Sequence, residues 1–60
     1  MNKYISIQNK LPPEGKVVMT KIEDIQGCRN EQSLFYDKGL WWVPSGEMYV
    51  YYQPTHWKEV

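Results

Sequence analysis

Cysteine is nearly absent from this sixty-residue chain: Cys28 is the only thiol, so no internal disulfide can staple it. Histidine is as scarce, with His56 alone, and no Cys/His cluster has the spacing of a structural zinc site. Neither charge sign is in excess, at seven basic and seven acidic residues. That balance argues against coating long DNA or RNA, which draws its affinity from a basic surplus. It also removes the usual attraction to anionic membranes. No apolar run reaches ten residues, well short of a bilayer span. Met1-Asn2-Lys3-Tyr4 lacks the apolar stretch of a signal peptide, which together with a lone free thiol points to a reducing cytoplasm. A Gly-rich phosphate loop, a Gly-x-Ser-x-Gly elbow and a His-Glu-x-x-His pair are all missing. A chain so equipped is expected to be no enzyme and to use no metal or cofactor.

Size sets the next bound. Residues 1–60 allow one domain with a small core. Burial on folding contributes on the order of 95 kcal/mol at ~25 cal/mol/Å², while ordering the chain costs on the order of 90 kcal/mol. The near-cancellation leaves the isolated chain marginal. With disulfide and zinc set aside, self-association is the remaining common staple, so a homo-oligomer is expected.

Aromatic rings are what the chain has in plenty. Three tryptophans, five tyrosines and one phenylalanine are present, and all but Tyr4 lie in the C-terminal half. Rings fill small cores efficiently. A domain this size has interior room for about half of them, so the surplus must meet something else.

The apolar positions favour strands over helices, being mostly Val, Ile, Tyr and Trp. Gly and Pro punctuate them at short intervals. Strands are expected at residues 4–7, 16–23, 33–36, 40–43 and 48–52, with residues 24–32 as a polar loop. Leu11-Pro12-Pro13-Glu14-Gly15 reads as a rigid turn. Asp37-Lys38-Gly39 suits a three-residue hairpin, and Pro44-Ser45-Gly46-Glu47 a second tight turn. Short loops in succession imply an antiparallel meander of about five strands, closed as a small SH3-like barrel or left as a curled sheet: an all-β domain. Alternation on the last two strands puts Leu40, Trp42, Met48, Val50 and Tyr52 in the core. Trp41, Tyr49 and Tyr51 then fall on the opposite face, as an apolar patch of the kind that marks a partner or ligand surface. The competing reading, that a second copy or the N-terminal hairpin folded over it covers this face, is favoured over open display.

Several segments together carry a family resemblance. Tyr4-Ile5-Ser6-Ile7 precedes Leu11-Pro12-Pro13-Glu14-Gly15-Lys16-Val17-Val18; Phe35-Tyr36 and a Trp-rich strand follow, and Pro54-Thr55-His56-Trp57 lies near the C-terminus. In order and spacing this resembles domain of unknown function 551, a family of short proteins from tailed phages and prophages. The likeness spans nearly the whole chain. It departs at Tyr4, where tryptophan is usual, and after Trp57, where a Met-Pro-Leu-Pro-rich tail commonly follows. The resemblance implies a phage-encoded accessory protein acting in the host cytoplasm, and it implies no catalytic residues.

The remaining chemistry is sparse. His56 has Thr55 beside it and Glu59 three residues on, too little for a catalytic constellation; a turn pinned by hydrogen bonds is the favoured reading. Cys28 next to Arg29 reads as an incidental thiol. The carboxylates are scattered over turns and loops as solvated charge. Aromatic faces stack on nucleobases, each stack being worth roughly 1–3 kcal/mol, and cations reach phosphate. The first functional expectation is therefore a module that sequesters a small nucleotide-type ligand in the infected cell, as an anti-defence protein. Trp41, Tyr49 and Tyr51 would stack on the base, and Arg29 and Lys21 would bind phosphate. The alternative is a protein-interaction module that docks on a host protein through the same aromatic face and inhibits it.

Overall fold

The computed structural model describes residues 3–60. Five strands form one antiparallel sheet: β1 (Ile5–Ser6), β2 (Val17–Asp24), β3 (Gly27–Asp37), β4 (Leu40–Trp42) and β5 (His56–Lys58). Their order across the sheet is β1-β5-β2-β3-β4, and no helix occurs among the described residues. The all-β, antiparallel expectation holds. The sheet is open, with β1 and β4 as its edges, so the barrel alternative gives way to the curled sheet.

The meander is real from β2 through β4 and then breaks. Residues 48–52 form no strand; Tyr49 alone bridges Trp42, while the amide of Val43 donates to Met48 O and that of Val50 to Trp41 O. The expected second hairpin is thus present in miniature. The chain then crosses the sheet and returns as β5, which slots between β1 and β2. Pro54, read as a break, is the buried residue of that crossing.

Residues 24–32, expected as a loop, belong largely to β3. Gly27 through Gln32 are exposed on both faces of a projecting β2–β3 arm. A strand wetted on both sides has no reason to alternate apolar with polar residues, so its sequence carries no period. Only the turn residues 25 and 26 remain outside the strands. One extra residue is accommodated where Thr20 faces Gln32 but Ile22 faces Arg29, with Asn30 at φ 58°.

The turn between β3 and β4 decides which rings point inward. It is a two-residue loop, Lys38-Gly39, with Asp37 paired to Leu40 and both loop residues at positive φ, 53° and 82°. Those dihedrals are what a hairpin turn compatible with strand twist requires. A three-residue loop would have paired Tyr36 with Leu40; the shorter loop pairs Tyr36 with Trp41. A one-residue slip reverses every side chain of a strand. Accordingly Trp41 is buried, at 3% exposure, while Leu40 and Met48 are exposed and Trp42, Val50 and Tyr52 are half-buried. The core assignments of Leu40, Trp42 and Met48, and the outward assignment of Trp41, are corrected by this register.

Inward-facing Val18, Leu34, Trp41 and Trp57 make the core, with Ile5, Ile7, Tyr36, Val43 and Val50 packed against it. Thr20 is buried among them, its hydroxyl donating to Gln32 O at 2.8 Å. Two connections cover this face. Residues 7–16 cross it with Pro12 buried, and they are tied down by the Trp57 indole, which donates to Lys10 O at 2.8 Å, and by the Gly15 amide, which donates to Tyr36 O. Residues 50–55 cross it from the other edge, where the Gln32 amide donates to the Tyr52 hydroxyl.

Lysine is poorly suited to the left-handed position it holds at residue 38, whereas asparagine tolerates it and completes the preferred Asn-Gly hairpin pair. Lys38→Asn is expected to stabilise the fold by about 0.5–1 kcal/mol, raising Tm by several degrees in a domain this small. Thermal melts followed by circular dichroism check this, and a lowered Tm would contradict the turn.

Candidate functional site

With one face of the sheet covered, the other is open, and the strand registers arrange its side chains in rows. The first row runs Val17, Phe35, Trp42, Tyr49 across β2, β3, β4 and the bridging residue. The second is Lys58, Met19, Ser33, and the third is Ser6, His56, Lys21. The first row is aromatic from Phe35 onward. Phe35 and Trp42 lie nearly parallel with centroids 6.5 Å apart, and the Trp42–Tyr49 and Tyr49–Tyr51 pairs meet edge to face at 5.5 and 5.8 Å. Phe35 and Trp42 are half-buried, Tyr49 is 40% exposed and Tyr51 is 93% exposed.

The polar atoms of this row are arranged unevenly. The Trp42 indole N–H donates to Asp37 O at 3.2 Å, inside the hairpin, so the ring presents only its apolar surface. The hydroxyls of Tyr49 and Tyr51 make no hydrogen bond among the described residues. The Pro44–Glu47 turn leans on the row's near end, where a Cβ at Gly46 would sit 3.9 Å from Phe35 Cζ.

The cations expected to bind phosphate do not converge. Lys21 lies on the outer face, 2.7 Å from the Glu23 carboxylate and above the Tyr4 ring at 4.1 Å, with Lys58 over the same ring at 4.8 Å. Arg29 pairs with Ile22, the neighbour of Lys21 in the chain, and so projects to the opposite face. There it grips Asp24 through two hydrogen bonds of 2.9 and 3.1 Å. Each pair shows in its protonation. The Glu23 carboxylate holds the Lys21 ammonium above the ordinary lysine range, and Lys21 holds Glu23 below the usual carboxylate range. Arg29, helped by the Gln26 amide, holds Asp24 low in the same way.

Of the residues expected at a ligand site, the structure brings together Tyr49 and Tyr51. Trp41 lies in the core, and Lys21 and Arg29 are each engaged by a carboxylate. Phe35 and Trp42 complete the row and were not among the expected site residues. Reading Lys38-Gly39 as a two-residue turn would have found both, since it sets Trp42 outward and opposite Phe35.

The Thr55–His56 pair is a structural knot. The Thr55 hydroxyl accepts from the Glu23 amide at 2.8 Å and lies 2.8 Å from His56 Nδ1, while its amide donates to Lys21 O and its carbonyl accepts from Ile7. It thereby joins β1, β2 and β5. A hollow of about 280 Å³ beside it is lined by Ser6, Gln8, Glu23 and His56, and another of about 150 Å³ lies between Gly39–Trp41 and Val50–Gln53. Both fall below the roughly 300–1,000 Å³ of typical small-molecule sites. Among the described residues no three His, Cys, Asp or Glu side chains gather as metal ligands, and no helix is long and apolar enough to cross a membrane.

No family model, curated protein or solved structure matches the chain.

Proposed function

We propose that this protein is a non-enzymatic docking module that binds a protein partner through Phe35, Trp42, Tyr49 and Tyr51. The observation that carries this is a continuous row of four rings on the sheet face that neither long connection crosses, ending in a tyrosine 93% exposed. Tyr and Trp dominate protein-binding hot spots because they offer large, stiff apolar area with a polar tip. The resemblance to short phage proteins supports a host protein as the partner and inhibition of that protein as the outcome. It also supports action in the host cytoplasm.

Sequestration of a nucleotide is the second reading. It is favoured by the 150 Å³ hollow that Tyr51 and Trp41 both border. It ranks lower because Lys21 and Arg29 point to opposite faces and each already holds a carboxylate.

The two readings separate on one double variant and one panel. Tyr49→Ser/Tyr51→Ser is expected to keep the wild-type fold. It should lose a captured host protein by about a thousandfold in affinity, at about 2 kcal/mol per hot-spot ring. Cyclic and linear nucleotides at saturating concentration are expected to leave Tm unchanged. Undiminished capture by the double variant sinks the docking reading, and a nucleotide that raises Tm by several degrees installs the second reading in its place.

A further inference from the structure

Resting on the docking reading, we infer that the segment bound by the row is a proline-rich peptide in the polyproline II conformation, carrying a basic residue. Two features of the row select that conformation over a helix or a strand, and a third selects the basic residue.

The first is shape. Trp42, Tyr49 and Tyr51 meet at interplanar angles of 70°, so the row is a series of notches between rings and no flat platform. Notches of this kind hold proline rings in aromatic-lined grooves. The centroid spacings of 5.5 and 5.8 Å limit the stretch from Trp42 to Tyr51 to about 11 Å. At ~3.1 Å per residue, three or four polyproline residues cover it.

The second is hydrogen bonding. The polar atoms left free on the row are the hydroxyls of Tyr49 and Tyr51. A polyproline segment makes no internal hydrogen bonds, so its carbonyls are open to such donors. A helix has already used most of its carbonyls, and an added strand needs a free backbone edge, which side chains on a sheet face do not provide.

The third is charge complementarity. Asp37 alternates with Phe35 on β3 and shares its outer face, and Glu47 lies two residues before Tyr49. Neither carboxylate has an ion-pair partner among the described residues, and Lys38 in the adjoining turn offsets one of the two charges. A peptide arginine or lysine beside the prolines would complete the balance. Proline also enters with little conformational entropy left to lose.

The test is a titration of the full chain, followed by tryptophan fluorescence, with three synthetic ten-residue peptides. One is proline-rich with a single arginine, one has glutamate in place of that arginine, and one is a Gly/Ser peptide with the arginine. Saturable binding of the proline–arginine peptide is expected, with affinity about tenfold lower for the glutamate version and none for Gly/Ser. Tyr49→Phe/Tyr51→Phe keeps both rings and removes both hydroxyls, and it should weaken binding about tenfold. Tyr49→Ser/Tyr51→Ser should abolish it. No saturation by the proline–arginine peptide at millimolar concentration overturns the inference. So does equal binding by Tyr49→Ser/Tyr51→Ser. So does a wild-type dimer in sedimentation that the same double variant makes monomeric, which would assign the row to a second copy. If the peptide fails but Tyr49→Ser/Tyr51→Ser still loses a captured host protein, the polyproline inference falls and the docking reading stands. If the double variant keeps that protein, docking itself falls.

Discussion

Trp57→Ala is expected to leave the chain unfolded at 25 °C. Trp57 is 2% exposed and lies on β5 between Ile5 of β1 and Thr20 of β2, so its ring is the common floor under three strands. Its indole also anchors the 7–16 connection through Lys10 O. Truncating a buried tryptophan costs about 3–5 kcal/mol in lost transfer energy and cavity. The severed hydrogen bond adds about 1 kcal/mol. A single core in a domain below about 70–80 residues rarely supplies more than about 3–5 kcal/mol in total. The loss therefore matches or exceeds the reserve. Far-ultraviolet circular dichroism and urea titration check it: Trp57→Ala should show no cooperative transition, whereas Trp57→Phe should remain folded with a lowered midpoint. A cooperative transition in Trp57→Ala at the wild-type midpoint would show that the ring is not the keystone of this core.

The neighbouring tryptophans should behave in opposite ways despite adjacent positions. Trp41 faces inward, is 3% exposed and tilts against Tyr36 at 5.0 Å, so Trp41→Ala carries the same cost of about 3–5 kcal/mol as at Trp57. Trp42 faces outward, and its loss removes contacts with Phe35 and Tyr49, each such aromatic pair being worth about 0.5–1.5 kcal/mol. Trp41→Ala is thus expected to unfold the protein. Trp42→Ala should stay folded at lower Tm and lose its partner. Equal destabilisation by the two substitutions, measured by thermal melts, would contradict the register of β4.

That register marks how far the fold could be read from residues alone. The alternation over Val17–Ile22 marks β2 because one of its faces is dry, and the short apolar run Leu40-Trp41-Trp42 between two turns marks β4. The loop length beside β4 was harder to read. Asp37 is a good turn residue by type, and including it in the loop moves the pairing by one and exchanges Trp41 with Trp42. The β3 arm was silent for a different reason: residues 27–32 bury nothing, so backbone pairing alone defines the strand. β5 was hidden by Pro54, which interrupts the local pattern but serves as the buried step of a crossing connection. No local signal in a three-residue strand announces that it will return to the far side of β2.

The candidate site was half legible for related reasons. A surplus of rings over interior volume is a property of composition, and Tyr49 and Tyr51 lie outside as that surplus requires. Which tryptophan joins them depends on register. The expected phosphate-binding pair failed at a finer level, because Glu23 and Asp24 are adjacent in the chain but project to opposite faces. Each captures the cation on its own side, Lys21 and Arg29 respectively. A carboxylate two residues beyond a lysine, or five residues before an arginine, looks like scattered solvated charge until the hairpin is folded.

Photochemically induced nuclear polarisation, which reports rings that a dissolved dye can touch, tests the outer row directly on the unmodified protein. Tyr49, Tyr51 and Trp42 should polarise, while Trp41 and Trp57 stay dark. Polarisation of Trp41 with Trp42 dark would mean that β4 is turned over, and the proposed surface would no longer exist.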